Sequence, residues 1–281
     1  MIVDGFAKVN LSLRVRARDS SGYHQVRSLA QSIGWSDRVS LGFAEDEDRF
    51  TVDGDLPAEE ANLAWRAVAA VRSDAGLRRP VEVHLVKRIA LAAGLGGGSA
   101  DAAAGLVAAS RLLGSAPDIA ARLAPALGSD VPFCLVGGAA WMEGRGETVT
   151  AVRIEPDFSV AVAVPPFELP TAAVYRRWDE LDEPGGVAIE GRRLPPSLRG
   201  FEPLGNDLLP AALDLRPELG DWMAALAARW ERTVLLTGSG PAVFAFFADV
   251  DEASEAAAAV DGARAVWAGT AVAAGTRVVR R

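Results

Sequence analysis

Between residues 9 and 16 the chain alternates strictly: Val9, Leu11, Leu13 and Val15 are separated by Asn10, Ser12, Arg14 and Arg16. A period of two puts one set on each face of a half-buried strand. Residues 1–18 as a whole read as two short strands or a bent ribbon, closed by a turn over 19–24 (DSSGYH). Strands follow over Gln25–Ile33 and Arg38–Phe43, then a loop at 44–48 and an edge strand near 49–53. The period becomes helical over Glu60–Ala75, where Gly76 supplies a stop signal, and returns to two over Val81–Ile89. Residues 90–98 are too glycine-rich for either element. Helices are predicted over Ala100–Leu113 and about 117–127, and strands over 147–153 and 158–164.

The proline-rich run VPPFELP (164–170) marks a change of unit, and the boundary is set at 155/156. Beyond it, helices are expected at Thr171–Asp179, Glu218–Glu231 and Asp251–Val260, with loops around 183–203. Strands are expected at Val234–Leu236, Ala242–Phe247 and Ala263–Val266. Many strands with helices interposed define an α+β chain of two units, 1–155 and 156–281, without internal repeats.

Composition narrows the class. In 281 residues, half are hydrophobic and 23% charged, which is a globular balance. The formal net charge of −8 argues against a nucleic-acid partner. The single cysteine, Cys134, sits in the apolar run VPFCLVGG and reads as a core thiol; it excludes an intrachain disulfide and a cysteine-rich zinc site. No apolar span reaches the roughly 20 residues of a membrane helix, and no charged leader precedes an apolar signal core. A cytoplasmic location without a membrane partner is therefore expected. Nothing marks a coiled coil, so the expected state is a monomer or weak homodimer. Of 29 basic residues only Lys8 and Lys87 are lysines. For Lys87 chance and a role weigh equally; the pattern flanking Lys8 favours a role.

The segment LVKRIALAAGLGGGSADAAAGLVAA (85–109) carries the most chemistry. A strand runs into Gly94, Gly96, Gly97 and Gly98, then Ser99, and a helix begins at once. Glycines let a backbone approach a ligand closely, and the first turn of the helix offers unpaired amides and a positive dipole end to a phosphate. A flexible turn is the alternative. The spacing fits neither GxxxxGK[ST] nor GxGxxG. Ser99 is either an N-cap or a hydroxyl for a metal-bound phosphate. Asp101, in the first turn, suits the dipole and needs no further role. Two other glycine-rich segments stand out: LTGSGPAVFAFF (236–247), and GSDVPFCLVGGAAWMEGRGE (128–147) with Asp130 ahead of an apolar run. Asp130 is either a capping residue or a poised carboxylate.

Taken together, FAKVNLSLRV (6–15), SGYHQVRSL (21–29), AGLGGGSADAA (93–103), LGSDVPFCLVGGAAWMEGRGE (127–147), NDLL (206–209) and LTGSGPAVFAFF (236–247) resemble the GHMP kinase superfamily, in order and over nearly the whole chain. The resemblance implies a ribosomal-protein-S5-like N-terminal domain and an α/β-sandwich-like C-terminal domain. It implies an ATP-dependent, Mg²⁺-dependent small-molecule alcohol kinase whose phosphates lie against Ala93, Gly94, Leu95, Gly96, Gly97, Gly98, Ser99, Ala100 and Asp101. Lys8 and Asp130 would be the catalytic pair, Asp130 at the acceptor hydroxyl and Lys8 stabilising the carboxylate and the developing charge. Within the superfamily, GYH points to a cytidyl-diphosphate substrate. Tyr23 and His24 would hold its base, Tyr175 in TAAVY (after Thr171) would close the pocket, and Asn10, Ser239 and Gly240 would lie near the polar groups. A turn histidine and a core tyrosine are the plain alternatives for His24 and Tyr23. Ala90 and Ala100 stand where relatives often carry proline and a second serine. Homoserine- or mevalonate-type kinases share the loop but leave GYH unexplained, and a silent ligand-binding protein leaves Lys8 and Asp130 unexplained. The resemblance carries no dedicated metal-ligand cluster.

Overall fold

A computed structural model describes residues 1–20, 22–54, 61–201 and 203–280. The chain opens with two long antiparallel strands, β1 (Ile2–Arg18) and β2 (His24–Phe43). Each is continuous: of the two readings of residues 1–18 the bent ribbon holds, and the two strands expected over Gln25–Ile33 and Arg38–Phe43 are one. The reason is mutual: β1 runs beside β2 from Ile2 to Arg18, and register shifts at Phe6/Lys8, Asn10/Ser12 and Val15/Arg18 absorb the bends. Such irregularities twist a ribbon without ending it. The alternation in β1 also has an unexpected outcome, because Lys8, Asn10 and Ser12 are as buried as their apolar neighbours. Their face is covered by the rest of the site.

β3 (Arg49–Asp53) pairs in parallel with β4 (Val81–Val86) and forms the sheet edge, as expected. Between them α1 (Leu63–Asp74) starts at Asn62, whose side chain accepts the Ala64 amide. The predicted start at Glu60 lies outside the described residues, as does Ser21 in the 19–24 turn. α2 (Gly97–Leu112) is the buried helix of the first unit and α3 (Ile119–Leu127) follows. The alanine and glycine content of α2 has a steric purpose. A Cβ on Gly5 of β1 would fall 2.3 Å from the Ala100 carbonyl oxygen, and one on Gly105 would fall 2.9 Å from that of Ala64. Small residues on both sides let strand and helix touch by their backbones.

Among the elements that escaped the periodicity are the six-residue helix α4 (Val131–Val136) and β5 (Ala139–Gly144), which pairs with β2 and with β6 (Thr148–Val152). The second sheet contains β7 (Ser159–Val164), and helix α5 (Thr171–Glu180) follows it. The loops of 183–203 hold two short 3-10 turns. A further helix, α6 (Leu209–Leu215), precedes α7 (Glu218–Trp230). β8 (Leu235–Leu236), β9 (Val243–Phe247), α8 (Val250–Ala258) and β10 (Ala265–Thr270) complete the unit, with sheet order β10-β7-β9-β8.

The last strand, β11 (Thr276–Arg280), pairs with β1 in the first sheet. Buried Asp4 clasps it: its carboxylate takes Arg38 at 2.7 Å and Arg277 at 3.0 Å. Burial alone would push the Asp4 carboxyl up, but hydrogen bonds and charge from the two guanidiniums outweigh this and hold it below the usual carboxylate range. The main core joins the first sheet, α1–α4 and one face of the second sheet. A smaller core lies between the other face of that sheet and α5–α8.

Candidate active site

The cleft, of about 820 Å³, opens where β1, the loop before α2, the start of α4 and the Thr237–Gly240 turn converge. β4 delivers the chain to the loop at residue 86. From there the backbone makes left-handed turns at Gly94 (φ 78°) and Gly96 (φ 70°) before α2 begins. Side chains are excluded at both. A Cβ on Gly94 would stand 2.4 Å from the Thr237 carbonyl oxygen, and one on Gly96 would stand 3.1 Å from Cγ of Lys8.

The helix cap departs from one of the two readings of Ser99. Gly96 is the N-cap and no side chain caps the helix, so Ser99 is the third helical residue. The residue lines the cleft. The amide of Ala100 bonds to the Gly96 carbonyl, whereas those of Gly97, Gly98 and Ser99 precede the first intrahelical acceptor. Three free amides at the positive end of a 16-residue helix make an anion site. Ala93, Gly94, Leu95, Gly96, Gly97, Gly98 and Ser99 line the cleft; Ala100 and Asp101 are buried behind it.

Asp101 turns to Lys87, whose Nζ reaches Asp101 at 2.8 Å and also bonds Asp37. Asp37 in turn accepts the amides of Arg88 at 2.5 Å and Ile89 at 2.9 Å. All three side chains are nearly sealed from solvent. Burial and the neighbouring Asp37 charge push the Asp101 carboxyl well above its ordinary value, against the pull of Lys87. Burial would lower the Lys87 ammonium, but the charges of Asp101 and Asp37 outweigh it and hold it above its usual range. Lys87 thus ties the root of the glycine loop to β2 and to α2.

Beside the loop, Lys8 Nζ lies 3.4 Å from Oδ2 of Asp130 and 2.5 Å from Oδ1 of Asn10. The capping alternative for Asp130 does not hold. It occupies the N-cap position of α4, yet its carboxylate makes no cap hydrogen bond and turns to Lys8, one-third exposed to the cleft. Asn10 is fixed on all sides: its Nδ2 donates to Ser28 Oγ at 2.7 Å, Ser28 donates to the Ser12 carbonyl at 2.7 Å, and the Asn10 amide donates to Thr237 Oγ1 at 3.0 Å. β1, β2 and the Thr237 turn therefore hold one rigid polar row.

At the far end His24 stacks on Tyr175, with ring centres 5.1 Å apart, and meets Trp178 edge-on. Its Nδ1 lies 3.0 Å from the Arg16 carbonyl and its Nε2 3.2 Å from Asp179. Tyr175 is partly buried, and the loss of solvent around it pushes its phenol up, helped by the charge of Asp130. Tyr23 is 57% exposed on the rim, under the guanidinium of Arg145 at 5.0 Å. Thr171 Oγ1 and Ser239 Oγ are 2.8 Å apart and both line the cleft. Gly240 does not line it: the residue is left-handed (φ 85°) and packs against Leu236 and Leu169. Cys134 is fully buried and burial pushes its thiol well up, which makes it an inert core residue.

Several cleft residues drew no role from the sequence: Ser28, Arg18, Ser129 and Arg145. Ser28 lies inside the quoted GYHQVRSL stretch, so a signal existed. Arg18 and Arg145 are two among many arginines and carried none. The NDLL segment was recognised but not explained.

A family model described as the GHMP kinases N terminal domain matches residues 62–138. The 4-diphosphocytidyl-2-C-methyl-D-erythritol kinase of Moorella thermoacetica is 39% identical over 265 residues, covering 90% of this chain and 92% of that protein. The enzyme of that name from Cutibacterium acnes is 39% identical over 272 residues, with 90% and 88% covered. A crystal structure of 4-(cytidine 5'-diphospho)-2C-methyl-D-erythritol kinase superposes with a TM-score of 0.79 at 35% identity, spanning 96% of this chain and 99% of that one. A homoserine kinase from Cytophaga hutchinsonii, at 19% identity and a TM-score of 0.71 over 99% and 97%, shares the fold. The two-unit α+β architecture and its glycine loop are those of the GHMP kinases, with the S5-like unit first and the sandwich-like unit second. Within that class the chain belongs to the family of 4-diphosphocytidyl-2-C-methyl-D-erythritol kinases.

Proposed function

We propose that this protein transfers the γ-phosphoryl group of ATP to the 2-hydroxyl of 4-diphosphocytidyl-2-C-methyl-D-erythritol, giving the 2-phosphate and ADP, in non-mevalonate isoprenoid precursor synthesis. The single observation carrying the reading is the Lys8–Asp130 pair, 3.4 Å apart in the same cleft as the first residues of α2. Phosphoryl transfer asks a protein mainly for alignment and charge stabilisation. The amides of Gly97, Gly98 and Ser99 would hold the triphosphate. Asp130 would orient the acceptor hydroxyl and take its proton, while Lys8, locked by Asn10, would steady the charge developing on the acceptor oxygen. The His24–Tyr175 stack, with Tyr23 on the rim, offers aromatic faces to a pyrimidine. Asn10, Thr171 and Ser239 would meet the polar part of the substrate, and Gly240 supports that turn from behind.

The donors on this wall suit a nucleotide that brings its own metal. Ser99 offers a hydroxyl, α2 its amides and Asp130 one carboxylate, and Mg²⁺, when bound with ATP, would neutralise phosphate charge largely through phosphate oxygens and water. The division at 155/156 is retained for the two units, with β11 returning to the first. No helix among the described residues is long and apolar enough to cross a membrane. A cytoplasmic monomer or weak homodimer with a small-molecule substrate and no nucleic-acid partner fits the net charge of −8.

The test is ATP- and Mg²⁺-dependent phosphorylation of the cytidyl alcohol with homoserine and mevalonate assayed beside it. Turnover of the cytidyl alcohol alone is expected. Preference for another alcohol would overturn the base-pocket assignment.

A further inference from the structure

The NDLL segment, Asn206–Leu209, lies outside the cleft lining yet is tied to it more densely than a surface loop requires. Residues 204–208 run alongside β1: the Leu13 amide donates to the Gly205 carbonyl at 2.7 Å and the Asp207 amide donates to the Leu13 carbonyl at 3.0 Å. The two polar side chains then work in different directions. Asp207 holds β1, accepting Arg14 at 2.9 Å and the Val15 amide at 3.0 Å. Asn206, 6% exposed, reaches the opposite way. Its Nδ2 donates to the carbonyls of Leu236 at 3.0 Å and Gly238 at 2.7 Å, and its Oδ1 accepts the Leu208 amide at 2.9 Å. Every hydrogen-bonding atom of that amide except one lone pair is engaged.

The carbonyls it holds flank the turn on which three parts of the site meet. Gly94 of the phosphate loop packs on Thr237 and Gly238; the Asn10 amide donates to Thr237; Ser239 contacts Thr171. We infer that Asn206 is a positioning residue for phosphoryl transfer, setting the height of the Thr237–Gly240 turn between the phosphate loop and the acceptor's hydroxyl. The inference rests on the kinase reading above. Loss of its two donors leaves both carbonyls unpaired and frees the turn, while the amides of α2, which Asn206 does not touch, keep their geometry.

The experiment compares wild-type protein with Asn206→Ala and Gly238→Ala, measuring kcat, both KM values, the Kd for ADP by calorimetry and the melting temperature. Gly238 has φ 59°, and a Cβ there would press on the Gly94 carbonyl at 3.0 Å, so this second variant displaces the same turn from its other side. For each folded variant kcat is expected to fall about 10- to 100-fold, the scale of a misplacement near 1 Å. For Asn206→Ala the ADP Kd is expected to stay within about threefold, because Asn206 bonds Leu236, Gly238 and Leu208 rather than the glycine loop or the α2 amides. A folded Asn206→Ala with wild-type kcat would overturn the inference, as would a kcat loss matched by an equal loss of ADP affinity. If Asn206→Ala does not fold, Gly238→Ala with undiminished kcat overturns it alone. Absence of turnover by the wild-type protein would instead count against the kinase reading.

Discussion

Replacing Asp130 by asparagine keeps the shape of the side chain and removes its charge. The pair it belongs to is unequal: the Lys8 side chain is 5% exposed and that of Asp130 33%. At 3.4 Å and an effective dielectric of about 20 the attraction is about 5 kcal/mol before desolvation is subtracted. Little of this should appear as lost stability, because Lys8 keeps its 2.5 Å bond to Asn10 and is never left bare. The loss should fall on turnover. A positioned carboxylate at a reacting hydroxyl contributes about 10²- to 10⁴-fold, which is about 3–5 kcal/mol of barrier. Asp130→Asn is therefore expected to lower kcat by that factor with ADP affinity changed less than about threefold, and Lys8→Met to do the same. Because the two act as a unit, the double variant should be at most about tenfold slower than the worse single one. Steady-state kinetics with calorimetry of ADP binding decides it. Asp130→Asn retaining more than a tenth of wild-type kcat would refute the role, and a double loss equal to the product of the singles would refute the coupling.

Tyr175→Ala removes the ring stacked on His24 and should raise KM for the cytidyl alcohol about 10- to 100-fold, the scale of one base–aromatic stack, leaving KM for ATP unchanged. Kinetics with each substrate varied in turn tests it. Lys87→Met would leave Asp37 and Asp101 buried face to face and should cost about 3–5 kcal/mol of stability. Asp101→Asn removes one of the two negative charges and should cost under about 1.5 kcal/mol; chemical denaturation of both variants checks the order. Asp4 carries the pH signature. Its carboxyl is held below the usual range in the fold, so its stabilising contribution is complete above the unfolded value near 3.9 and fades as pH falls through the folded value. Asp4→Asn should therefore melt below wild type at pH 7, and the gap should close as pH falls below 4.

How much of this was legible in the chain depends on where each interaction's partners sit. The glycine loop could be read because all its parts are contiguous: a strand, four glycines and a helix within residues 85–109. The long helices were legible for the same local reason. β11 was not, since its five residues pair with a strand more than 260 positions away. α4 is six residues long, under two turns, and too short to show a period. β2 was read as two strands, and β1 left between two strands and a bent ribbon, because bends look like ends until the neighbouring strand is known.

The site repeats the distinction at the level of single residues. Lys8 and Asp130 could be named from segments around them, but whether Asp130 capped a helix or faced a lysine was a question about a residue 122 positions away, answered only by the cap geometry and the 3.4 Å pair. Lys87 stood out in composition, yet its meaning lies in Asp37 and Asp101, which share no pattern with it. Ser28, Thr237 and Asn206 are harder still. Each acts largely by bonding the backbone or another buried polar group, and such bonds constrain a donor or acceptor without selecting a motif. Residues that would touch substrate were thus easier to find than residues that hold them in place. A variant survey confined to the glycine loop, Lys8 and Asp130 would miss the side chains that fix the distance between them.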